Sequence, residues 1–265
     1  MSGQRFQNQV VWVTGASSGI GRATAKAFAN EGAYVILSAR REEALTDVAE
    51  EIGPHRALVL PLDVVNADAR TQAVKDAIAW KGHVDVLLNN AGVTQRASAL
   101  ETTESAARKI MDVNFFAPVE LTRALLPHML SRGQGTISVV SSVTGYVATP
   151  MRSTYAASKH AIQGYFNALE AELHNTGVNV TLILPGYIAT PITHAAVTAD
   201  GSPLGEAQQD TASGMPPEEC APVIVDAIAK KKREQLVGGT EIYGVYLKRF
   251  FPKLTAQIVR RAVPK

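Results

Sequence analysis

The stretch VVWVTGASSGIG, residues 10–21, decides the fold of this chain. It begins with an apolar run, Val10–Val13, and continues into a turn that carries glycine at positions 15, 19 and 21. Glycine at these positions permits a tight turn, and the backbone N–H groups at the start of a following helix favour an anion such as a pyrophosphate. A glycine-rich turn is weak on its own, but between an apolar strand and a helix it predicts a dinucleotide-binding βαβ unit.

The rest of the chain repeats this pattern. Short runs rich in Val, Ile and Leu alternate with longer, Ala-rich segments of helical spacing, which is typical of repeated βαβ units with a parallel sheet covered on both faces. The predicted strands are Val10–Thr14, Tyr34–Ser38, Ala57–Leu60, Val84–Asn89, Thr136–Ser141, Val178–Leu184 and Gln235–Val237. The predicted helices are Ile20–Asn30, Glu42–Ile52, Ala67–Trp80, Glu104–Phe115, Val119–Ser131, Tyr155–Thr176 and Pro217–Lys230. We therefore expect an α/β fold: a doubly wound, mostly parallel seven-stranded sheet of Rossmann type, in a single domain over residues 1–265.

Composition narrows the class of protein. With 265 residues, 46% hydrophobic content and a net charge of +2, the chain can bury a large core and lacks the strong positive charge of a nucleic-acid binder. Cys220 is the only cysteine, which excludes an intrachain disulfide and favours a reducing, cytoplasmic location. The opening residues lack the apolar core of a signal peptide, and the histidines show no metal-binding spacing, so we expect no metal.

Two segments depart from the βαβ pattern. Residues 187–215 contain an irregular stretch, Ile192–Met215, which fits either a lid over a substrate cleft or a surface loop. Residues 241–265 carry six basic side chains and one acid, with aromatic and aliphatic residues between them and Pro252 dividing them into two helical pieces. This tail fits a basic amphipathic segment in peripheral contact with a membrane; alternatively, its apolar residues Leu247, Phe250, Phe251, Leu254 and Ile258 pack on the domain or on a second subunit.

The end of the second strand bears on cofactor choice. In a site that prefers NAD, an acid at this position accepts hydrogen bonds from the adenosine ribose. Here the sequence is Ser38-Ala39-Arg40-Arg41, with two guanidinium groups and no acid. Guanidinium groups form bidentate, charge-assisted contacts with phosphate, which suits the 2′-phosphate of NADP. The alternative is that both arginines are solvated residues at a helix start; the missing acid and the added cations together favour NADP(H).

A tyrosine and a lysine supply the reacting chemistry. Tyr155 and Lys159 lie four residues apart at the start of a predicted helix, which places both on one face. A lysine ammonium near a phenol favours the phenolate and lowers its pKa from about 10. Such a phenol can protonate a ketone oxygen as hydride arrives, or take the alcohol proton in reverse. Ser142 and Asn89–Gly92 support the interpretation of Tyr155 and Lys159 as a reactive pair. Both follow predicted strands at the carboxyl edge of the sheet, where open α/β sheets bind ligands.

Taken in order over Val10–Thr190, these motifs resemble the series of the short-chain dehydrogenase/reductase family, in its branch of single-domain chains of this size. The series consists of Thr14–Gly21, Asn89–Gly92, Asn114, Ser142, Tyr155, Lys159 and Pro185-Gly186. Each motif is common by itself, whereas the ordered set is specific.

The resemblance implies catalytic roles for four residues: Asn114, Ser142, Tyr155 and Lys159. Tyr155 would be the general acid/base, and Lys159 would lower its pKa and hold the nicotinamide ribose. Ser142 would hydrogen-bond the substrate oxygen, and Asn114 would position a water that links Lys159 to solvent. Ser141 is expected to be structural, because alternation along a strand turns it to the other face.

The resemblance also implies a cofactor site. Its residues would be Gly15, Ser17, Ser18, Gly19, Ile20, Gly21, Arg40, Arg41, Asp63, Val64, Asn90, Ala91, Gly92, Tyr155, Lys159, Pro185, Gly186, Ile188 and Thr190. Asn90 would lie by the adenosine ribose. Asp63 and Val64 would lie by the adenine, and Ile188 and Thr190 by the nicotinamide amide.

The expected substrate pocket is mostly apolar. Its predicted lining is Val143, Tyr146, Val147, Met151, Tyr187 and Ile192. No motif fixes an arginine there for a carboxylate, although Arg96 and Arg152 are candidates. We therefore expect an NADP(H)-dependent carbonyl reductase or alcohol dehydrogenase for a lipophilic ketone or secondary alcohol.

The resemblance implies a homodimer or homotetramer joined through the helices Val119–Ser131 and Tyr155–Thr176. Two alternatives to this enzyme remain. One is a non-catalytic NADP(H)-sensing or interaction protein on the same fold, and the other is a sugar- or acyl-carrier-directed enzyme whose basic tail recruits an acidic partner.

Overall fold

The computed structural model describes residues 4–193, 196–205 and 213–261. In these ranges the strands are β1 Val10–Thr14, β2 Tyr34–Ser38, β3 Ala57–Val59, β4 Val86–Asn89, β5 Gly135–Val140, β6 Val178–Pro185 and β7 Glu234–Val237. They form one sheet in the order β3-β2-β1-β4-β5-β6-β7, and each neighbouring pair is parallel. The predicted seven-stranded parallel sheet is therefore confirmed. The strand order reverses direction between β1 and β4, and in open α/β sheets such a reversal creates a crevice at the carboxyl edge.

Helices cover both faces of this sheet. They are α1 Gly19–Asn30, α2 Glu42–Ile52, α3 Ala67–Lys81, α4 Glu104–Met111, α5 Ala117–Arg132, α6 Ser153–Glu172, α7 Pro217–Ala229, α8 Gly244–Phe250 and α9 Pro252–Arg261. Alternation along β1 divides the core: Val11 and Val13 pack in the layer that contains α1, α2 and α7, whereas Val10 and Trp12 pack in the layer of α3, α5 and α6. The doubly wound arrangement is therefore confirmed.

One predicted helix, Glu104–Phe115, is wrong at its end. The α-helix stops at Met111, and a π-helical segment, Asp112–Phe116, connects it to α5. A π-helical turn widens the hydrogen-bond spacing and changes which side chains face inward, and such turns are frequent at functional sites. Here Asn114 is buried by this segment.

The helix predicted over Tyr155–Thr176 is shifted. It begins at Ser153 and ends at Glu172, four residues before the predicted end. Asn175 and Gly177 both have positive φ angles, 65° and 82°. These left-handed residues lie after the end of α6, and the chain turns there before it enters β6.

The C-terminal tail forms two helices, as predicted, with Pro252 at the first position of α9. The alternative in which its apolar residues pack on the domain is wrong for most of them: Phe250 is 71% exposed, Phe251 61% and Ile258 51%. Leu247 is only half-buried. Within the described ranges, every helix is too short or too polar to cross a bilayer.

The predicted substrate loop, residues 187–215, is partly outside the described residues, which omit 194–195 and 206–212. Its described part is held by backbone bridges, Gln95 with Val197 and Ile188 with Met215. Val197 is buried against Ala106 and Ile110 of α4. This part of the loop therefore packs on α4 rather than standing off the surface.

Candidate active site

The glycine-rich turn between β1 and α1 has no space for side chains. A Cβ at Gly21 would lie 2.2 Å from the Gly15 carbonyl oxygen, and one at Gly19 would lie 2.9 Å from Cγ2 of Thr190. Gly15 and Gly19 also have φ angles of 67° and 52°. The turn is therefore closed to other residues, and its exposed backbone can approach a ligand closely.

Asn90, which the sequence assigns to the adenosine ribose, holds this turn in place. Its Nδ2 donates to the carbonyl oxygen of Thr14 at 2.9 Å, and its backbone N–H donates to Thr14 Oγ1 at 3.0 Å. The backbone N–H of Ala91 donates to the same hydroxyl at 3.1 Å. The amide of Asn90 thus joins the end of β4 to the end of β1, a structural contact that the sequence analysis missed.

The two arginines after β2 are exposed at the start of α2. Nη2 of Arg41 lies 3.4 Å from Oγ of Ser17, so this guanidinium stands over the edge of the glycine-rich turn. Further along the same edge, Oδ1 of Asp63 accepts a hydrogen bond of 3.1 Å from the Val65 backbone. Val64 lines a small cavity together with Thr14 and Ala91. These residues surround one end of the crevice.

Tyr155, Ser142 and Lys159 meet at the other end, beyond β5. Ser142 is the second residue after β5, and its Oγ accepts a 3.1 Å hydrogen bond from the Thr144 backbone N–H. The ammonium of Lys159 is buried, lies 5.8 Å from the centre of the Tyr155 ring and donates to the Val140 carbonyl at 2.9 Å. The structure therefore brings together three of the four residues that the resemblance marks as catalytic.

Burial governs the electrostatics of Tyr155 and Lys159. Burial raises the pKa of the Tyr155 phenol, and a hydrogen bond to Ser142 and the charge of Arg152 act in the opposite direction. Burial lowers the pKa of Lys159 to about 8. Burial is the largest contribution to the pKa of each group, and the expectation that Lys159 lowers the pKa of Tyr155 stays a prediction.

The side-chain amide of Asn114 forms three hydrogen bonds within the protein. Its Oδ1 accepts from the backbone N–H of Val93 at 2.9 Å, while its Nδ2 donates to the Val93 carbonyl at 2.9 Å and to Ser158 Oγ at 3.1 Å. A Cβ on Gly92 would lie 3.2 Å from Asn114 Oδ1 and 3.8 Å from Lys159 Nζ. Asn114 thus neighbours Lys159, but its amide links the segment after β4 to α6.

Two buried glutamines were missed by the sequence analysis. Oε1 of Gln95 accepts a 3.0 Å hydrogen bond from the backbone N–H of Tyr155 in the first turn of α6. Nε2 of Gln163 donates to Ser141 Oγ at 3.0 Å and to the Ser142 carbonyl at 3.2 Å. Ser141 donates in turn to the Lys159 carbonyl, so its predicted structural position is confirmed. Neither glutamine belongs to a motif, and only their burial in the fold reveals them.

The predicted substrate-lining residues lie in the connections that follow β5 and β6. Val143 follows Ser142 in a 3₁₀ turn, and Met151 precedes α6 with a φ angle of 64°. Tyr187 is 38% exposed. Ile192 is half-buried in the 3₁₀ turn Pro191–Thr193. The lining is thus spread over two connections at the carboxyl edge.

The hydroxyl of Tyr146, a predicted substrate-lining residue, is bound to another side chain of the protein. Its hydroxyl donates to Glu234 Oε2 at 2.7 Å, and burial together with this carboxylate raises the pKa of the phenol to about 12.

Among the residues assigned to the nicotinamide amide, Ile188 is buried in the core layer of α1 and α7, and Thr190 contacts Gly19.

A carboxylate beyond β7 supports the predicted Pro185-Gly186 segment. Oε1 of Glu241 accepts hydrogen bonds from the backbone N–H of Tyr187 at 2.8 Å and of Gly239 at 3.0 Å. A Cβ on Gly186 would lie 2.0 Å from the same oxygen, so a larger residue there would displace the Glu241 carboxylate. No sequence motif points to Glu241, which is the only acid in residues 241–265.

Comparison with known proteins bears on the family of the whole chain. The family model described as short chain dehydrogenase matches residues 9–201. A protein of Xenopus laevis named dehydrogenase/reductase SDR family member 7B is 39% identical over 273 residues, which cover 100% of this chain and 84% of that protein.

Solved structures show the same architecture. A short chain dehydrogenase/reductase from Burkholderia phymatum, in complex with NAD, has a TM-score of 0.84 at 26% identity and covers 94% of this chain and 96% of its own. A metagenomic short-chain oxidoreductase, in complex with NADP, has a TM-score of 0.73 at 29% identity, with 88% and 98% of the two chains covered. Similar structures thus hold either nicotinamide cofactor.

Proposed function

This chain belongs to the short-chain dehydrogenase/reductase family of oxidoreductases, and on that premise we propose that it is an NADP(H)-dependent enzyme that interconverts a ketone and a secondary alcohol. The observation that carries the proposal is the meeting of Tyr155, Ser142 and Lys159 at the carboxyl edge of the sheet. There the Tyr155 phenol would give its proton to the substrate oxygen in reduction and take it back in oxidation.

Each of these residues has a defined part in that reaction. Ser142 already interacts with the Tyr155 hydroxyl, and it would hold the substrate oxygen where negative charge develops. As a protonated phenol, Tyr155 would act as the acid in reduction of a ketone, and as a phenolate it would act as the base in oxidation of an alcohol. Lys159 would bind the nicotinamide ribose through its amine, and Asn114 would support the link from Lys159 to solvent through its position beside Gly92.

The cofactor site fits a dinucleotide. The cradle formed by Gly15, Gly19 and Gly21 would be filled by any Cβ, which is the arrangement that close approach of a pyrophosphate needs. NADP(H), when bound, supplies the hydride in reduction and takes it in oxidation. The remaining residues of the predicted cofactor site would orient the two ends of the molecule along the crevice.

A preference for NADP(H) over NAD(H) rests on Arg40 and Arg41. Both are exposed, so they are available to a ligand, and Arg41 lies beside Ser17 of the phosphate-binding turn. Guanidinium groups at this point match the 2′-phosphate that distinguishes the two cofactors.

We propose a lipophilic substrate because Val143, Val147, Met151 and Ile192 offer apolar contacts around the reacting group. The irregular loop 187–215 would close over this pocket.

We also propose a homodimer or homotetramer through α5 and α6, since Phe116 is exposed beside Phe115, whose ring contacts Tyr165 of α6. The single, buried Cys220 supports a cytoplasmic location.

The test is NADPH oxidation by the purified protein with a panel of ketones of increasing hydrophobicity, measured in parallel with NADH. We expect turnover that rises with hydrophobicity and is faster with NADPH. Tyr155→Phe should lose about 100- to 10,000-fold in kcat while it keeps NADPH binding. Tyr165→Phe, which removes a phenol hydroxyl from the same helix, is the matched control and should stay within about twofold.

Two results would contradict the proposal. The first is NADPH binding without turnover of any ketone in the panel, which would favour a non-catalytic cofactor sensor. The second is equal kcat for the wild type and Tyr155→Phe.

A further inference from the structure

Four aromatic side chains are exposed in and just before the two C-terminal helices. Tyr243, Tyr246 and Phe250 follow each other at intervals of three and four residues, so they share one face of the α8 region, and Phe251 continues it. All four are exposed, and together with Leu247 they line one groove. We call this set, with the exposed Leu254 and Ile258 of α9, the aromatic face. A patch of this kind in water usually marks a contact site.

Cations surround the aromatic face. The described ones are Lys248, Arg249, Lys253, Arg260 and Arg261, all of them exposed. Among ion pairs between described residues, none involves a residue in the range 242–261. Among the described residues, no carboxylate forms an ion pair with any of these five cations, which favours a partner that is both apolar and anionic.

We propose that the aromatic face docks in the interface of an anionic lipid bilayer. Aromatic side chains place an apolar ring at the level of the headgroups, and lysine and arginine beside them attract anionic lipid. A second copy of this chain fits the face less well. A two-fold contact presents the same patch from both subunits, so it would bring the two sets of five cations together.

The docked face lies next to the proposed substrate pocket. The ammonium of Lys248 donates to the backbone carbonyl of Tyr146, and a Cβ at Gly244 would lie 3.8 Å from Cγ2 of Val147. At the start of the same segment, Glu241 binds the backbone of Tyr187. Three predicted substrate-lining residues thus contact the segment that carries the aromatic face. This part of the inference rests on the proposed function: a lipophilic ketone dissolved in the bilayer would reach the pocket without crossing bulk water.

Sedimentation with vesicles tests the docking without substrate or cofactor. Full-length protein is mixed with vesicles of phosphatidylcholine alone or with about one third phosphatidylglycerol, at low salt and again at about 0.5 M NaCl. We expect binding to the anionic vesicles at least about tenfold stronger than to neutral ones, and weaker binding in high salt. Lys253→Glu/Arg260→Glu should lower binding by at least about tenfold, and Phe250→Ser should lower it as well.

The matched control is Lys75→Glu/Arg108→Glu, which reverses one exposed lysine and one exposed arginine on α3 and α4. It should bind like the wild type. Equal binding by both charge-reversal variants, or no binding by the wild type, would overturn the proposal. Loss of self-association in Phe250→Ser, measured by light scattering, would overturn it too and assign the aromatic face to a second subunit.

A second readout separates this inference from the proposed function. Turnover of a short, water-soluble ketone should be the same in the wild type and in Lys253→Glu/Arg260→Glu, which also reports that the variant is folded. Normal turnover without vesicle binding would refute the docking and leave the proposed function in place. Vesicle binding without turnover of any ketone would refute the function alone.

Discussion

The carboxylate of Glu241 accepts a 2.8 Å hydrogen bond from the backbone N–H of Tyr187, and so the chain after β7 holds the chain after β6. The same oxygen binds the backbone N–H of Gly239 at 3.0 Å. The predicted nicotinamide and substrate residues therefore depend on a side chain from the C-terminal segment, 54 positions away along the sequence.

Glu241→Ala removes both hydrogen bonds and should loosen the segment around Gly186 and Tyr187. We expect kcat/KM for a ketone to fall about tenfold, because hydrogen bonds to a charged group are stronger than neutral ones. Glu241→Gln keeps an acceptor oxygen and should recover part of the loss. Glu120→Ala, which removes an exposed carboxylate from α5, serves as the control. Steady-state kinetics with NADPH measures the effect; equal kcat/KM in the alanine variant and the wild type would disprove it.

Arg41 is expected to distinguish the two cofactors. Arg41→Ala should raise the KM for NADPH about 10- to 100-fold and leave the KM for NADH nearly unchanged, since only NADPH carries the 2′-phosphate. Arg233→Ala removes an exposed arginine that pairs with Glu170 at the opposite edge of the sheet, and it should change neither value. A parallel rise of both KM values in Arg41→Ala would argue against phosphate recognition.

Two glycine substitutions should act in opposite directions. Gly21→Ala places a Cβ 2.2 Å from the Gly15 carbonyl oxygen, and we expect it to lower the free energy of unfolding by about 1–3 kcal/mol and to weaken cofactor binding. Gly164 lies within α6 with open space around it. Gly164→Ala should therefore stabilise the protein by up to about 1 kcal/mol. Urea unfolding compares them, and a Gly21→Ala variant as stable as the wild type would contradict the packing argument.

Lys159 should make stability rise with pH in the alkaline range. Burial lowers its pKa to about 8, whereas the unfolded chain has the ordinary value of about 10.4. Between these values the unfolded state binds more protons than the folded state, so the free energy of unfolding increases as pH rises. Below pH 8 both states are protonated, and the cost of burying the charge is present in full.

The comparison is with Lys159→Met, which lacks this titration. From about pH 7.5 to 9.5 the wild type should gain about 1–2 kcal/mol of unfolding free energy relative to the variant. Urea unfolding of the cofactor-free proteins at both pH values gives the difference directly. A difference that stays constant, or one that falls with pH, would show that the pKa of Lys159 is not lowered.

The sequence by itself determined the layers of the fold and the order of the motifs. The apolar runs of the strands, the period of the helices and the glycines of the first turn are local properties, because they depend on dihedral preferences and on spacings of a few residues. Pro252 likewise marks the break between α8 and α9 through its own geometry. For this reason the seven strands were predicted in the correct places, with errors of up to two residues at their ends.

Only the tertiary structure decided what surrounds each reactive group. The π-helical segment that turns Asn114 onto Val93, the contact of Gln95 with the start of α6, and the hydrogen bonds of Glu241 all join positions far apart in the chain. The pKa of Tyr155 follows from its burial, and a spacing of four residues to Lys159 carries no information about desolvation. The exposure of the aromatic face could not be predicted from the sequence either, because it depends on which segments meet in the folded chain.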